Sequence, residues 1–519
     1  MVESVAAGGV AGVSVSMVIG EREVGVIGGG PAGATAARLL ASWGHSVALF
    51  ARPVRQPLAE SLPPSCVHVL NRVGVREAVE GAGFVRSSGN TVCWGAEGER
   101  VERFAARALG YQVERGAFDA LLVGEAERRG VHVVRATVTG VDHGGPDARL
   151  VRFSSGDPPA AGALRCRWVL DCTGRSGLVA RQDGRRRLER GNRTMALAAM
   201  WERSDARWGL EDDSHTLVEG YRDGWGWSVP ASLTRRCVAL MVDPARTMLG
   251  SRRELARVYA RELAGAARLA RLVRGAARVG PVWARDASPY FAPPVAAADV
   301  LRVGDAVSFV DPLSSFGVKK ALSSAWMAAV VVHTGLTSEA MRTAALSLFE
   351  HRERTMYEAL RRRTVELAGE AAVDRGRERD GAGFWDRAAH VETERDAVEE
   401  PDVMALRCDA DVLRAFEAIR QRPRLVLRQH GDLRRVQRPA IRDHVVVLED
   451  QLAAPSFEHG IRFLRNIDLV TLADLAPAHD QVPELYDAYV RAVPRPAPPL
   501  PDFLGALSVL VGKGLLALD

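Results

Sequence analysis

Lysine is nearly absent from this chain: among 69 basic side chains in 519 residues, only Lys319, Lys320 and Lys513 are lysines. The bias most simply reports a GC-rich genome. Cysteine is also scarce. The six cysteines (Cys66, Cys93, Cys166, Cys172, Cys237 and Cys408) show no C-x-x-C spacing and no cysteine–histidine cluster with metal-ligand spacing, so neither a disulfide framework nor a metal site is expected. A reducing cytoplasm fits that usage. No apolar run approaches the roughly 20 residues that a bilayer span requires, which argues against a membrane span. Residues Met1 to Gly20 are small and apolar but carry Glu3 and lack a basic start, so they do not read as a secretion signal, and Met17 is an alternative start. Charge of one sign is not in surplus either. A net +5, spread without a basic stripe, argues against nucleic acid as a partner.

What remains is an ordinary globular composition, 47% apolar and 26% charged. The chain is too long for one core, and two or three domains are expected. From Glu23 the pattern runs EVGVIGGG, PAGATAARLLASWG, HSVALFA, a strand, Gly-rich turn, helix and strand. Further on, the pattern predicts a helix over Phe118–Arg129, a strand near Val131–Arg135 and a buried strand in WVLDCTG. Alternation in TMALAAMWERS, GWGWSVPAS and CVALMVD predicts a mainly antiparallel sheet between about 185 and 290, with one helix over Arg253–Arg274. A strand follows in ADVLRVGDA at 298–306, then a long apolar helix from Val318, with helical periodicity to about Ala389 and a break at RGRERDGAG. Beyond 400 the composition turns to mixed charge and proline, with PRPAPPLPDF as a connector and a final helix, Gly turn and strand.

Gly28-Gly29-Gly30-Pro31-Ala32-Gly33 matches G-x-G-x-x-G between strand and helix, where missing side chains let a diphosphate approach the positive helix N-terminus. The acidic residue expected at the end of the second strand is replaced by Ala51, followed by Arg52.

At this point the sequence resembles the flavoprotein monooxygenase superfamily with the para-hydroxybenzoate hydroxylase fold. Arg115, Phe118 and Asp119 in VERGAFDALL are similar to the helix start whose arginine contacts the cofactor there; the competing reading pairs Arg115 with Asp119 on the surface. Asp171-Cys172-Thr173-Gly174 is similar to the D-x-T-G strand end beside the adenosine, and GDAVSFVDPLSSFGVKKAL is the most specific match. The resemblance implies FAD, with Asp305 on ribityl hydroxyls, Pro312 beside the isoalloxazine, and the N–H groups of Gly317 and Val318 on the N1 and O2 edge. Gly28, Gly30, Gly33, Arg52, Ser61 and Arg115 complete the expected cofactor set.

Ala59-Glu60-Ser61-Leu62-Pro63 and Trp225-Gly226-Trp227-Ser228-Val229-Pro230 look like the G-E-S-x-x-P and W-x-W-x-I-P elements of flavin-dependent tryptophan halogenases. That family uses a lysine shortly after the first element to capture hypohalous acid. Here the stretch GFVRSSGNTVCWG holds none, and Arg86 is a poor substitute because its guanidinium stays charged and delocalised. Ser88-Gly89-Asn90 with Trp94-Gly95 instead resembles the non-halogenating relatives that hydroxylate tryptophan side chains.

The resemblance therefore implies an FAD-dependent monooxygenase that hydroxylates an indole or phenol through a C4a-hydroperoxyflavin. The substrate is an aromatic small molecule or is bound to a peptide or carrier. Halogenation, or reduction and dehydrogenation, are the alternatives, and a purely structural role for FAD is a fourth. Molecular oxygen is the co-substrate, and NAD(P)H or a separate flavin reductase supplies electrons. Trp94, Trp225 and Trp227 are candidate pocket walls or plain core; His68, His215 and Glu219 are possible bases by position, and no catalytic residue is assigned. The expected fold is α/β (α+β): a Rossmann-like FAD-binding domain (22–85, 108–180, 290–335) interleaved with an antiparallel-sheet substrate domain (86–107, 181–289). A helical segment (336–400) and a C-terminal cap or winged-helix-like domain (401–519) follow.

Overall fold

The computed structural model describes residues 17–52, 58–94, 98–105, 108–156, 160–188, 193–247, 250–251, 254–297, 299–314, 316–373, 384–385, 403–493 and 496–519. The motif RGRERDGAG and Gly95 lie outside them. The chain divides into two compact units, one of Met1–His333 with Phe349–Glu394 and one of Thr334–Leu348 with Arg395–Asp519.

In the first unit, strand β1 (Met17–Ile27), helix α1 (Pro31–Ser42) and strand β2 (Val47–Phe50) form the expected opening motif. β1 pairs in parallel with β2 on one side and with β3 (Ala160–Asp171) on the other; β3 pairs in parallel with β4 (Val300–Arg302). These are central strands of an eight-stranded sheet. Val24, Val26, Leu49, Val169 and Leu170 are buried on it, as the continuous apolar run of a doubly covered parallel sheet requires.

The second sheet of this unit has seven strands, in the order Ala277–Asp286, Met195–Glu202, Arg235–Val242, Gly224–Pro230, Thr216–Tyr221, Gly89–Cys93, Glu99–Arg103. It is antiparallel except where Thr216–Tyr221 runs parallel to Gly89–Cys93. The two strands Gly89–Cys93 and Glu99–Arg103 thus join a sheet whose other five strands come from beyond 190.

Several boundaries differ from those expected. The helix expected over Phe118–Arg129 starts at Arg115, because the Glu114 carboxylate accepts from the N–H groups of Gly116 and Ala117 and so caps it. The helix expected over Arg253–Arg274 is two, Leu255–Gly265 and Ala267–Leu272, broken at Ala266 with ψ of 87°. The strand expected at 298–306 is only Val300–Arg302, since Gly304 turns the chain at φ +64°. Helix α2 (Gly317–Thr337) and helix α3 (Glu339–Val373) follow.

The second unit holds helices Ala410–Gln421, Leu469–Leu475, Val482–Ala492 and Leu500–Gly512 and a three-stranded antiparallel sheet over Arg434–Ile461. Phe503, Leu507, Leu510, Leu469 and Leu472 form its core, each fully buried. The final helix, the turn at Gly514 with φ +70° and the strand Leu516–Leu518 follow the expected pattern.

Candidate functional site

Three strand ends lie side by side in the first unit: Ile27 is opposite Asp171, and Asp171 opposite Arg302. Each leads into one of the three motifs. A crevice beyond the C-terminal ends of parallel strands is where ligands bind in such sheets.

The glycines of the first turn divide the work. A Cβ on Gly28, whose φ is +111°, would lie 2.3 Å from the Cys172 carbonyl oxygen, and one on Gly33 would lie 1.8 Å from the Gly28 carbonyl oxygen. Both positions let backbone pack on backbone. A Cβ on Gly30 would meet only an Arg115 guanidinium nitrogen, at 3.9 Å. Gly30 caps α1 without any side-chain hydrogen bond, so the first-turn N–H groups keep their positive end for a ligand.

Arg115 donates to both oxygens of Asp119 at 3.0 Å and to Glu60 Oε1 at 2.8 Å. Burial works against its charge, but the Glu60 and Asp119 carboxylates more than offset this and hold its pKa above the usual arginine value. Burial pushes the Asp119 carboxyl upward despite Arg115. The ion pair and the approach to Gly30 are therefore one arrangement: Asp119 fixes the guanidinium beside the turn. Arg52 lies exposed at the end of β2, 3.4 Å from Thr137 Oγ1, and Ser61 is half-buried opposite Gln112.

Asp171 is fully buried and serves its own corner. It accepts from the Thr173 N–H and hydroxyl and from the Val179 N–H, and burial still raises its pKa. The third segment is tied to the second by Val303 N–H donating to Asp171 O at 2.9 Å. A Cβ on Gly304 would lie 3.3 Å from Ala32 Cβ and 3.5 Å from Ala321 Cα, so its turn is wedged between α1 and α2. The Asp305 side chain is 28% exposed; its carboxylate accepts from Lys320 Nζ at 3.3 Å and its main-chain oxygen from the Tyr290 hydroxyl. Pro312 opens a short turn ahead of α2, and Asp311 before it is buried, which pushes its carboxyl up to about 7. Gly317, the first residue of α2, is exposed with nothing near its Cβ position, and Val318 is buried.

Trp94, Trp225, Phe384 and Trp385 form one buried aromatic cluster, with Trp94–Trp225 at 6.2 Å and Trp94–Trp385 at 4.7 Å between ring centroids. Half-buried Trp227 packs against it, 5.2 Å from Trp225, and also touches the group containing Leu58 and Ala59. Phe309 and Leu313 pack on the same cluster. Of the possible bases, His68 is exposed, and Glu219 accepts from the N–H groups of Arg268 and Leu269 at the start of a short helix. His215 is buried between Ser88 and Thr91, and burial lowers its pKa.

Sequence reasoning gave no role to Glu60, Tyr290, Lys320 or Glu353. Two of them left a signal: Glu60 within the Ala59–Pro63 element, and Lys320 as one of three lysines in an arginine-rich chain.

The open face at Gly30, the uncapped start of α1, the part-exposed Asp305 and the exposed Gly317 at the start of α2 fit the diphosphate, ribityl and flavin parts of FAD in that order. Among the described residues no cluster suited to a metal ion occurs, and no helix is long and apolar enough to cross a membrane.

Residues 96–405 match the tryptophan halogenase family. The tryptophan 2-halogenase of Chondromyces crocatus is 29% identical over 337 residues, 63% of this chain and 63% of that protein, so the chain spans less than two thirds of that relative's length. CmlS, a flavin-dependent halogenase, has a similar structure: TM-score 0.74, 22% identity, and 96% of both chains covered. The peptidyl tryptophan dihydroxylase QhpG is similar at TM-score 0.65 and 22% identity, covering 90% of this chain and 95% of that one. At those identities the two structures speak for the fold alone. The sequence match over more than half its length, added to a crevice shaped for FAD, places this chain in the tryptophan halogenase family of FAD-dependent enzymes.

Proposed function

We propose that the chain uses reduced FAD and molecular oxygen to functionalise an electron-rich aromatic ring, an indole or phenol. When bound, FAD supplies the electrons that activate oxygen. The residues do the remainder: the Gly28–Gly33 turn and Arg115 hold the diphosphate, Asp305 the ribityl hydroxyls, and the N–H groups of Gly317 and Val318 the N1 and O2 edge. Pro312 would sit on the isoalloxazine side of the bound cofactor, and Arg52 and Ser61 would border it. Trp94, Trp225 and Trp227 supply an apolar wall that excludes water. The observation that carries this reading is that Phe309 and Leu313, which bracket Pro312, pack on the tryptophan cluster. The expected flavin position and the apolar wall thus share one surface.

Two outcomes of that chemistry compete. Halogen transfer has the wider support, because the family match and most named relatives are halogenases, and it displaces the hydroxylase reading from first place. Hydroxyl transfer has one specific observation in its favour: no lysine precedes Lys319. The remaining lysines are engaged, Lys320 with the Asp305 turn and Lys513 with Asp409, while Lys319 lies over the Phe316 ring. The halogenase kinship favours a separate flavin reductase over NAD(P)H as the electron source. The dihydroxylase's peptidyl substrate favours a peptide- or carrier-bound aromatic. A cytoplasmic location accords with the six unpaired cysteines.

The test supplies the FAD-loaded protein with a flavin reductase, oxygen, and tryptophan-containing and phenolic substrates, with and without halide, and weighs the products. Replacement of hydrogen by halogen establishes the first outcome, and gain of one oxygen atom regardless of halide the second. Substrate turnover without oxygen would overturn both.

A further inference from the structure

A chain that meets nearly every need for a cation with arginine keeps a buried lysine where arginine fails geometrically. The Lys320 side chain is 4% exposed. Its ammonium donates to Gly304 O at 3.2 Å, to Asp305 Oδ1 at 3.3 Å and to Ser308 O. Three donors meet three acceptors that converge on one point, an arrangement a planar guanidinium fork cannot reproduce. One turn along α2, buried Ser324 accepts from the Gly304 N–H at 2.8 Å, and it hydrogen-bonds Glu353, a carboxylate 2% exposed on α3. Glu353 also feels the Lys320 charge, and one of its oxygens has no other partner. The spacing of four residues puts Lys320 and Ser324 on the same helical face, toward the turn.

We infer that Lys320 is a positioning residue for the cofactor: it clamps the 304–308 turn to α2 and aims the Asp305 carboxylate at the ribityl chain. The inference rests on the assignment of Asp305 made above. The Lys320 hydrogen bonds all end on the 304–308 turn, on the ribityl side, whereas the diphosphate end is held by the Gly28–Gly33 turn and Arg115. Loss of Lys320 therefore weakens FAD and leaves ADP, which lacks the ribityl chain and the flavin, unaffected. A residue that merely supported the fold would weaken both.

The experiment titrates full-length, deflavinated protein with FAD and separately with ADP by calorimetry, for wild type, Lys320→Met, Lys320→Arg and Asp305→Ala. Losing a charge-assisted contact of this kind corresponds to about tenfold or more in affinity, so Lys320→Met is expected to weaken FAD by that factor with ADP unchanged. Lys320→Arg keeps the charge and does not rescue. Normal FAD affinity in Lys320→Met beside weak binding in Asp305→Ala overturns the inference and leaves the Asp305 assignment standing. Normal affinity in both removes that assignment. Parallel loss of FAD and ADP assigns Lys320 to the fold and overturns the clamp. If Lys320→Met does not fold, Lys320→Arg decides: unchanged FAD affinity defeats the clamp, and weakened FAD binding with intact ADP binding upholds it.

Discussion

Replacing Glu353 with glutamine should change how stability depends on pH. The carboxyl is 2% exposed, and burial pushes its pKa from 4.5 to about 7 even though Lys320 and Ser324 favour the ion. The sign follows from linkage. A carboxyl whose pKa is raised by folding is carried at no cost while protonated, and it penalises the native state increasingly as pH climbs from the unfolded pKa to the folded one. Two and a half pH units at 1.36 kcal/mol each amount to about 3 kcal/mol, complete above pH 7 and small below pH 5. Glutamine keeps an acceptor for Ser324 and never ionises. Any fixed cost of the substitution is the same at both pH values, so the gap between variant and wild type isolates the titration. That gap is expected to move in favour of Glu353→Gln by about 3 kcal/mol between pH 5 and pH 8.5, or about 4 °C in the melting midpoint of a unit this large. Scanning calorimetry of the apoprotein at the two pH values measures it. A gap that stays constant would refute the idea that Glu353 carries a buried, reluctantly ionised carboxyl.

Gly33→Ala would force a Cβ to within 1.8 Å of the Gly28 carbonyl oxygen; backbone cannot yield there, so the purified protein should lose its flavin absorbance. Arg115→Met leaves buried Asp119 beside Glu60 with no countercharge, which should cost about 3 kcal/mol in denaturant unfolding and weaken FAD. Trp225→Ala, at a position 2% exposed, should cost about 3–5 kcal/mol, whereas half-buried Trp227→Ala should cost less and act mainly on product formation, as turnover assays beside melting curves would show.

How much of this was legible depended on whether a residue's role is local. The opening motif was readable because its glycines answer to a turn within a few residues, and the D-x-T-G and GDA motifs mark strand ends in the same way. The clamp was not, because Lys320 donates to Gly304, Asp305 and Ser308, 12 to 16 positions back, across a turn that no periodicity predicts. The three-stranded sheet over 434–461 was also hidden. Its first strand, Arg434–Arg442, is rich in arginine and contains Pro439, a residue tolerated only because this strand forms the sheet's edge. Helix limits shifted where a cap decided them, as Glu114 did for the helix at Arg115.

The three strand ends that meet at Ile27, Asp171 and Arg302 impose an order on biosynthesis. Synthesis runs from the N-terminus, and the sheet that carries the Gly28–Gly33 turn cannot gain its β4 neighbour until some 270 further residues, the whole seven-stranded sheet among them, have been made. Lys320 emerges later still. On the proposed FAD site, a ribosome-bound chain therefore has half a cofactor cradle for most of its translation, and FAD retention is expected only once α2 has formed. Truncations before about residue 320 should yield colourless protein however well their strands pair, and a limiting supply of FAD would act on finished chains rather than on nascent ones.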